Sequence, residues 1–287
     1  MPTGAELLRE AAALLEKAGV EGAMGDARLL LAHALRVERS ALIHAVHDEL
    51  DPVVAARFFD YVSARASHQP LAQIRGWRDF WGRKMRVTPD VLDPRPDSET
   101  LIEIALGGTF QTVLDLGTGS GALVVTLLAE RSNAQGVAID ISPAALDVAR
   151  ANALAHGVAA RLDLRISDWF EAIDGRYDLI ICNPPYIDAD EWARLSTDVR
   201  AFEPKIALTP GPDGLAPYRH ISTRLEGFLT PAGRAVFEIG HQQGAAVVAI
   251  FQTAGFTDVT CIQDINGKDR VILVQNCPKS AQKPALR

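Results

Sequence analysis

Cysteine is scarce in this chain of 287 residues: Cys182, Cys261 and Cys277 are three, an odd number without metal-type spacing. Reduced thiols are expected, and neither a disulfide framework nor a cysteine-built metal site. Long apolar runs are missing as well, since no stretch approaches the ~20 uninterrupted apolar residues of a membrane span. The N-terminus, with Glu6, Arg9 and Glu10 close together, lacks a signal-peptide pattern, so a cytoplasmic location is the expectation. Basic charge is not in excess: 29 Lys and Arg against 36 Asp and Glu leave a net charge of −7. That balance counts against broad electrostatic binding to nucleic acid and favours a protein or small-molecule substrate. The seven histidines, including His44 and His47 on one predicted helix, form no metal-ligand constellation, and no internal repeat is present.

What remains, 48% hydrophobic and 23% charged, is ordinary globular composition with room for one large domain and a smaller one. Thr3-Gly4-Ala5-Glu6 has capping-box spacing, and Leu7, Leu8, Ala11, Leu14, Leu15 and Ala18 recur at helical intervals up to Gly19. Helical patterns follow through Leu29 to Leu35, through Leu42 and Val46, and from the Asp51-Pro52 cap onward with Val54, Phe58, Tyr61 and Val62 on one face. Residues 1–70 therefore read as a small helical domain.

Between Gln69 and Arg86 the character changes, with Trp77, Phe80 and Trp81 set among Arg75, Arg78, Arg83, Lys84 and Arg86. Either these aromatics pack a hairpin in the linker 71–90, or they form a docking surface for RNA or a protein resembling it; the first is favoured. Pro94-Arg95-Pro96 makes an extended loop, and Asp97 or Ser98 is placed to cap a helix through Leu101, Ile102, Ile104 and Ala105.

From Thr112 strand and helix patterns alternate. Thr112–Leu116, Gln135–Ile139, Leu162–Ile166 and Tyr177–Cys182 read as strands, with helices at Ala122–Glu130 and Pro143–His156. A later strand Ala235–Ile239, a helix through Val247 and Phe251, and a terminal strand pair complete an α/β, doubly wound, largely parallel sheet over residues 91–276. Residues 277–287 read as a flexible tail.

Three strand ends carry the cofactor chemistry. After the first comes Asp115-Leu116-Gly117-Thr118-Gly119-Ser120-Gly121, where glycines let backbone N–H groups approach a ligand. A dinucleotide site typically needs G-x-G-x-x-G; this loop is G-x-G-x-G and keeps an acid, Asp115, which would repel a pyrophosphate but suits an ammonium group. Asp140 ends the second strand, placed to accept from both hydroxyls of a ribose. Asp168-Trp169, after the third, offers a carboxylate and a ring face to an adenine. Each has a bland alternative, Asp140 as a helix cap and Trp169 as core, but their order at successive strand ends points to S-adenosylmethionine.

Asn183-Pro184-Pro185-Tyr186 follows the buried run Tyr177–Cys182. Two prolines remove two backbone donors and stiffen the turn, so the Asn183 amide oxygen and the Pro184 carbonyl are positioned to face one cavity and hold a planar nitrogen.

These motifs resemble the class I S-adenosylmethionine methyltransferases that modify planar or amide nitrogens. The chain is more narrowly similar to the N5-glutamine methyltransferases of peptide chain release factors, through Gln69-Pro70-Leu71 with Gly76 and Phe80-Trp81-Gly82, Pro94-Arg95-Pro96 with Glu99, Phe202-Glu203-Pro204 with Ala207-Leu208, Asp213-Gly214-Leu215 with Tyr218, and Gly267-Lys268-Asp269-Arg270. The resemblance spans roughly residues 5–275. It implies a Rossmann-like methyltransferase sheet and a helical domain that helps hold the release factor. It further implies that Arg95 and Glu99 join Asn183, Pro184, Pro185 and Tyr186 in holding substrate. Asp93, where an aliphatic residue is expected, and Thr209-Pro210-Gly211-Pro212, in place of a more glycine-rich loop, depart from the pattern. Two alternatives stay open: a methyltransferase acting on an exocyclic amine of adenine or guanine, and a non-catalytic adenosine-binding module.

Overall fold

The computed structural model describes residues 1–275 of the chain, and the tail expected from Cys277 onward lies outside them. Two compact units are present, Met1–Trp77 with Ser196–Phe202, and Arg78–Leu195 with the chain from Glu203 onward.

The first unit is helical. Thr3 and Glu6 close the capping box reciprocally, Thr3 N to Glu6 Oε2 at 2.8 Å and Glu6 N to Thr3 Oγ1 at 3.3 Å, and start the helix Gly4–Lys17. Its stripe of Leu7, Leu8, Ala11 and Leu15 packs with Leu30 and Leu31 of helix Ala23–Leu35 and with Phe58 and Val62 of helix Pro52–Ala66. One piece of this unit comes from far along the chain. In the short helix Thr197–Phe202, Asp198 accepts from Arg65 at 2.6 Å, while Arg65 also reaches Asp26 at 2.7 Å, so a buried guanidinium is matched by two carboxylates. Nothing in the local pattern of residues 196–202 announces that return.

In the second unit, β1 (Trp77–Phe80) and β2 (Arg83–Arg86) form a hairpin whose two turn residues, Trp81 and Gly82, both adopt left-handed backbone. Phe80 and Met85 enter the core and Arg83 pairs with Glu130 at 2.8 Å, so the basic aromatic segment packs as a hairpin. The main sheet follows: β3 (Thr112–Leu116), β4 (Gln135–Asp140), β5 (Leu162–Ile166), β6 (Tyr177–Cys182), β7 (Leu229–Glu238), β8 (Asp258–Gln263) and β9 (Asp269–Gln275). Their order is β5-β4-β3-β6-β7-β9-β8, parallel from β5 to β7. β9 runs antiparallel between β7 and β8, because the few residues from Asp264 to Lys268 allow a hairpin but no crossover.

Alternation builds a core on each face. Leu179 and Ile181 of β6 join Leu101, Val125 and Leu128 on one side, whereas Ile180 and Cys182 join Tyr218, Ile221 and Phe251 on the other. Strand order reverses at β3: the chain steps outward to β4 and β5, then returns to β6 on the opposite side. The crevice above the carboxyl ends of β3 and β6 is the position where such sheets bind ligands.

Candidate active site

A cavity of about 440 Å³ opens at that crevice, within the second unit. The size suits a drug-sized ligand. Gly117, Gly119 and Ser120 of the loop after β3 line it, with Asp140 after β4, Asp168 and Trp169 after β5, and Asn183 and Pro185 after β6. Arg95 and Ser98 from the proline-rich loop line it as well.

The glycine loop is held from two directions. Gly119, at φ 55°, donates its N–H to Asp140 Oδ2 at 2.8 Å, and a side chain at Gly119 would project into open space. Gly121, at φ 78°, begins the helix Ala122–Glu130; a Cβ there would lie 3.0 Å from that of Ala149, so this turn needs glycine for conformation and for packing. Asn152, buried at 1% exposure, clamps the loop to the hairpin by donating to Ser120 O at 2.8 Å and Arg86 O at 3.1 Å while accepting from Arg86 N.

The acids occupy distinct settings. Asp115 is 1% exposed; its Oδ2 accepts from Thr118 Oγ1 at 2.6 Å, and its buried Oδ1 has no partner among the described residues. Burial pushes its carboxyl up to about 7; the Thr118 hydroxyl opposes this and nearby Asp140 adds to it. Asp140 accepts Ser142 N on Oδ1 at 2.9 Å and Gly119 N on Oδ2. The cap of helix Pro143–Ala155 is Ser142, whose Oγ accepts Ala145 N at 3.2 Å, so Asp140 keeps its remaining lone pairs for the cavity. Burial raises its carboxyl, with the N–H groups of Ser142, Gly119 and Ile141 opposing. Trp169 has left-handed backbone, φ 48°, an uncommon state for a bulky side chain. Ser167 shapes that turn, donating to Trp169 O at 2.8 Å and accepting from Ala172 N.

At the end of β6, Asn183 donates through Nδ2 to Ser98 Oγ at 3.3 Å, and its Oδ1 has no hydrogen-bond partner among the described residues. Pro184 is buried between Asn183 and Pro185. Tyr186 is not among the residues lining this cavity: its hydroxyl donates to Glu238 Oε1 at 3.2 Å, and its carbonyl accepts from Gln243 at 2.9 Å. Arg95 pairs with Glu203 at 2.5 Å and lies 3.9 Å from Asp93, which is buried and also meets Arg78 at 3.4 Å. The unexpected acid at position 93 thus sits among cations. Glu99 is not brought to the cavity; its Oε1 accepts Trp81 N at 2.8 Å and ties the hairpin turn to helix Glu99–Leu106.

Sequence reasoning passed over Ser98, Glu238 and Asn152. Asp97 or Ser98 is the expected helix cap, yet Ser98 at the N-cap makes no side-chain cap bond and its hydroxyl accepts from Asn183 instead. For Glu238 a signal did exist: an acid inside the apolar strand run Ala235–Ile239 is a buried charge that needs partners.

A parallel sheet in this strand order, with a glycine loop after its first strand and an acid after its second, defines a class I S-adenosylmethionine-dependent methyltransferase architecture. Comparison with known proteins agrees: residues 6–76 match the PrmC N-terminal domain model, and residues 94–199 match the methyltransferase small domain model. The release factor glutamine methyltransferase of Cereibacter sphaeroides is 53% identical over 268 residues, covering 93% of this chain and 96% of the relative. That of Burkholderia pseudomallei is 43% identical, covering 85% and 89%. A methyltransferase structure from Pyrococcus furiosus shares the fold at 15% identity, TM-score 0.54, over 69% of this chain and 91% of that one. The chain belongs to the release factor glutamine methyltransferase family. Among its described residues no helix is long and apolar enough to cross a membrane.

Proposed function

We propose that this chain transfers the methyl group of S-adenosylmethionine to the side-chain amide nitrogen, N5, of the glutamine in the Gly-Gly-Gln loop of peptide chain release factors, in the cytoplasm. The observation that carries this reading is the meeting of Asn183 with the glycine loop and Asp140 around one cavity, with Asn183 Nδ2 committed to Ser98 and Oδ1 available.

The residues present fit the donor. The orphaned Oδ1 of buried Asp115 is an acceptor for an ammonium group, the open face of Gly117 and Gly119 admits a ligand against the backbone, and Asp140 retains lone pairs for ribose hydroxyls. Asp168 and Trp169 take the adenine. When bound, S-adenosylmethionine supplies an electrophilic methyl on a sulfonium centre.

Everything else falls to the chain. The substrate amide nitrogen is a poor nucleophile because its lone pair is delocalised into its own carbonyl. Asn183 Oδ1 and the Pro184 carbonyl accept its two N–H groups, orient the lone pair, and stabilise the positive charge that develops as the new bond forms. Tyr186 supports the turn beside the flat amide, and Arg95 with its loop borders the substrate side, while Glu99 braces the Trp81 turn. The N-methylated cation then loses its proton to a neighbouring carbonyl or water, so no strong base is required beforehand.

Incubation with a release factor and labelled donor, followed by mass spectrometry, tests the reading. One added methyl on the Gly-Gly-Gln peptide is expected. Label on nucleic acid in place of the protein would overturn it, and donor binding without transfer to any release factor would point to a non-catalytic module.

A further inference from the structure

The turn that carries Asn183 cannot lace itself together. Pro184 and Pro185 have no N–H, so no hydrogen bond is donated from its middle, and its aim depends on what grips its ends. At the exit, that grip comes from other segments. Ile187 N donates to Leu208 O at 3.0 Å and Ala189 N to Pro212 O at 3.3 Å, so the loop 209–212, which departs from the family pattern, backs the turn. Gly214, at φ 65°, packs so closely that a Cβ there would stand 2.2 Å from the Tyr186 carbonyl oxygen.

Gln243 completes the grip with a side chain. It precedes the helix Gly244–Thr253, and its backbone is already engaged: its N–H donates to Gly240 O at 2.9 Å and its carbonyl accepts Val247 N at 2.9 Å. The side chain makes no cap bond. Instead Oε1 accepts Gly240 N at 3.0 Å, and Nε2 donates to Tyr186 O, 57 residues away, at 2.9 Å. A backbone N–H can only donate and a carbonyl only accept, so this amide has one way round. The plainer explanation for Gln243 is that it steadies the start of its helix through Gly240. That bond and the bond to Tyr186 use different atoms, so the two roles are separable.

We propose that Gln243 is a positioning residue for methyl transfer, whose Nε2 holds the Tyr186 carbonyl and thereby aims the Asn183-Pro184-Pro185-Tyr186 turn at the substrate nitrogen; this rests on the acceptor roles of Asn183 and the Pro184 carbonyl proposed above. Gln243 is not among the residues lining the cavity and touches no reacting atom in this scheme. It acts through the Tyr186 backbone, two residues beyond the Pro184 carbonyl. The fixed φ of Pro185 stiffens the step between them, so a displaced Tyr186 carbonyl moves the acceptors with it.

The experiment compares Gln243→Met, Gln243→Glu, Gln243→Lys and Asn183→Ala in the full chain. For each, steady-state methylation of a release factor is measured beside donor affinity and stoichiometry by calorimetry, and kcat is expressed per donor-binding site so that misfolded protein does not count. Gln243→Met keeps the length of the side chain and removes both bonds. A misaimed turn predicts that it lowers kcat about tenfold, with KM for the release factor and donor affinity within about twofold of the parent. Gln243→Glu keeps an acceptor for Gly240 N but sets an oxygen against the Tyr186 carbonyl, so its kcat falls at least as far. Gln243→Lys gives up the Gly240 bond, and its ammonium can still donate to Tyr186 O, so it restores most of the loss. A role confined to the helix start predicts the reverse order, with Glu near parental and Lys defective, and that result overturns the proposal. Parental kcat in Gln243→Met beside a strong Asn183→Ala defect overturns it too and leaves the acceptor role of Asn183 standing, as does a Gln243→Met loss shared equally by donor affinity. Full turnover in Asn183→Ala overturns the acceptor role and this inference with it.

Discussion

The two ends of the cavity are built on different plans. At the β3–β4 end, the loop from Gly117 to Gly121 presents backbone, and its partner Asp140 lies 21 residues away along the chain. At the β6 end, Asn183 is hydrogen-bonded to Ser98, 85 residues away, and Tyr186 to Glu238, 52 residues away. In the proposed reading the first end binds the donor through backbone groups and through Asp140, whose oxygens already accept nearby N–H groups. The second holds a few side-chain atoms in one orientation by contacts that exist only after the sheet is assembled. Binding tolerates the first kind of construction, whereas bond making needs the second, because a reacting nitrogen must be aimed as well as held.

The comparison breaks most visibly if the β6 end is cut. Asn183→Ala should lower kcat for methylation by roughly 10²–10³, the scale for removing one preorganised polar group from a transition state, with donor affinity nearly unchanged. A calorimetric titration beside the turnover assay checks it; equal loss in both measurements would mean that the two ends do not have separate jobs.

Asp140→Ala is the converse. Loss of hydrogen bonds to a charged acceptor should weaken donor binding roughly 10–100-fold, while kcat at saturating donor stays within a few-fold of the parent. Fluorescence or calorimetric titration separates the two terms.

Asp115 sharpens the comparison through pH. Its carboxyl is raised by burial to about 7, so in the donor-free protein it is largely protonated below that pH. An ammonium group beside it favours the ionised form, hence a proton must leave on binding at low pH. Donor affinity should therefore rise with pH by up to about tenfold per unit below 7 and level off above it. Asp115→Asn should flatten the profile. The linked stability has the opposite slope. A carboxyl whose folded value lies above its unfolded one holds its proton more tightly when folded, so the donor-free protein should lose stability as pH rises from about 4 to 7, which thermal melts across that window would measure.

A site remote from both ends sets the floor. Arg150 and Asp147 form an exposed pair one helical turn apart, and Asp147→Ala should leave both kinetic terms unchanged and stability within about 0.5 kcal/mol. A larger effect in denaturant unfolding would mean that this helix face couples to the loop above it.

What the sequence determined by itself was whatever depends on near neighbours. The capping box at Thr3, the strands Thr112–Leu116 and Tyr177–Cys182, the glycine turn after β3 and the proline turn after β6 all follow from periodicity and backbone preference within a few residues. Such signals locate the strand ends, and in a doubly wound sheet strand ends locate the cavity. Only the tertiary structure decided that Glu99 serves the Trp81 turn and not the cavity, that β9 slips antiparallel between β7 and β8, and that residues 196–202 join the helical unit. It also decided the use of Ser98, for which a helix cap and a hydrogen bond to Asn183 look alike in sequence. The reason is physical: a hydroxyl or carboxylate takes whichever partner the packed chain brings within about 3 Å, and pairs separated by 50 to 85 residues leave no periodic trace. At Asn183 both sources meet, its place set by a local proline turn and its partner, Ser98, supplied only by the assembled sheet.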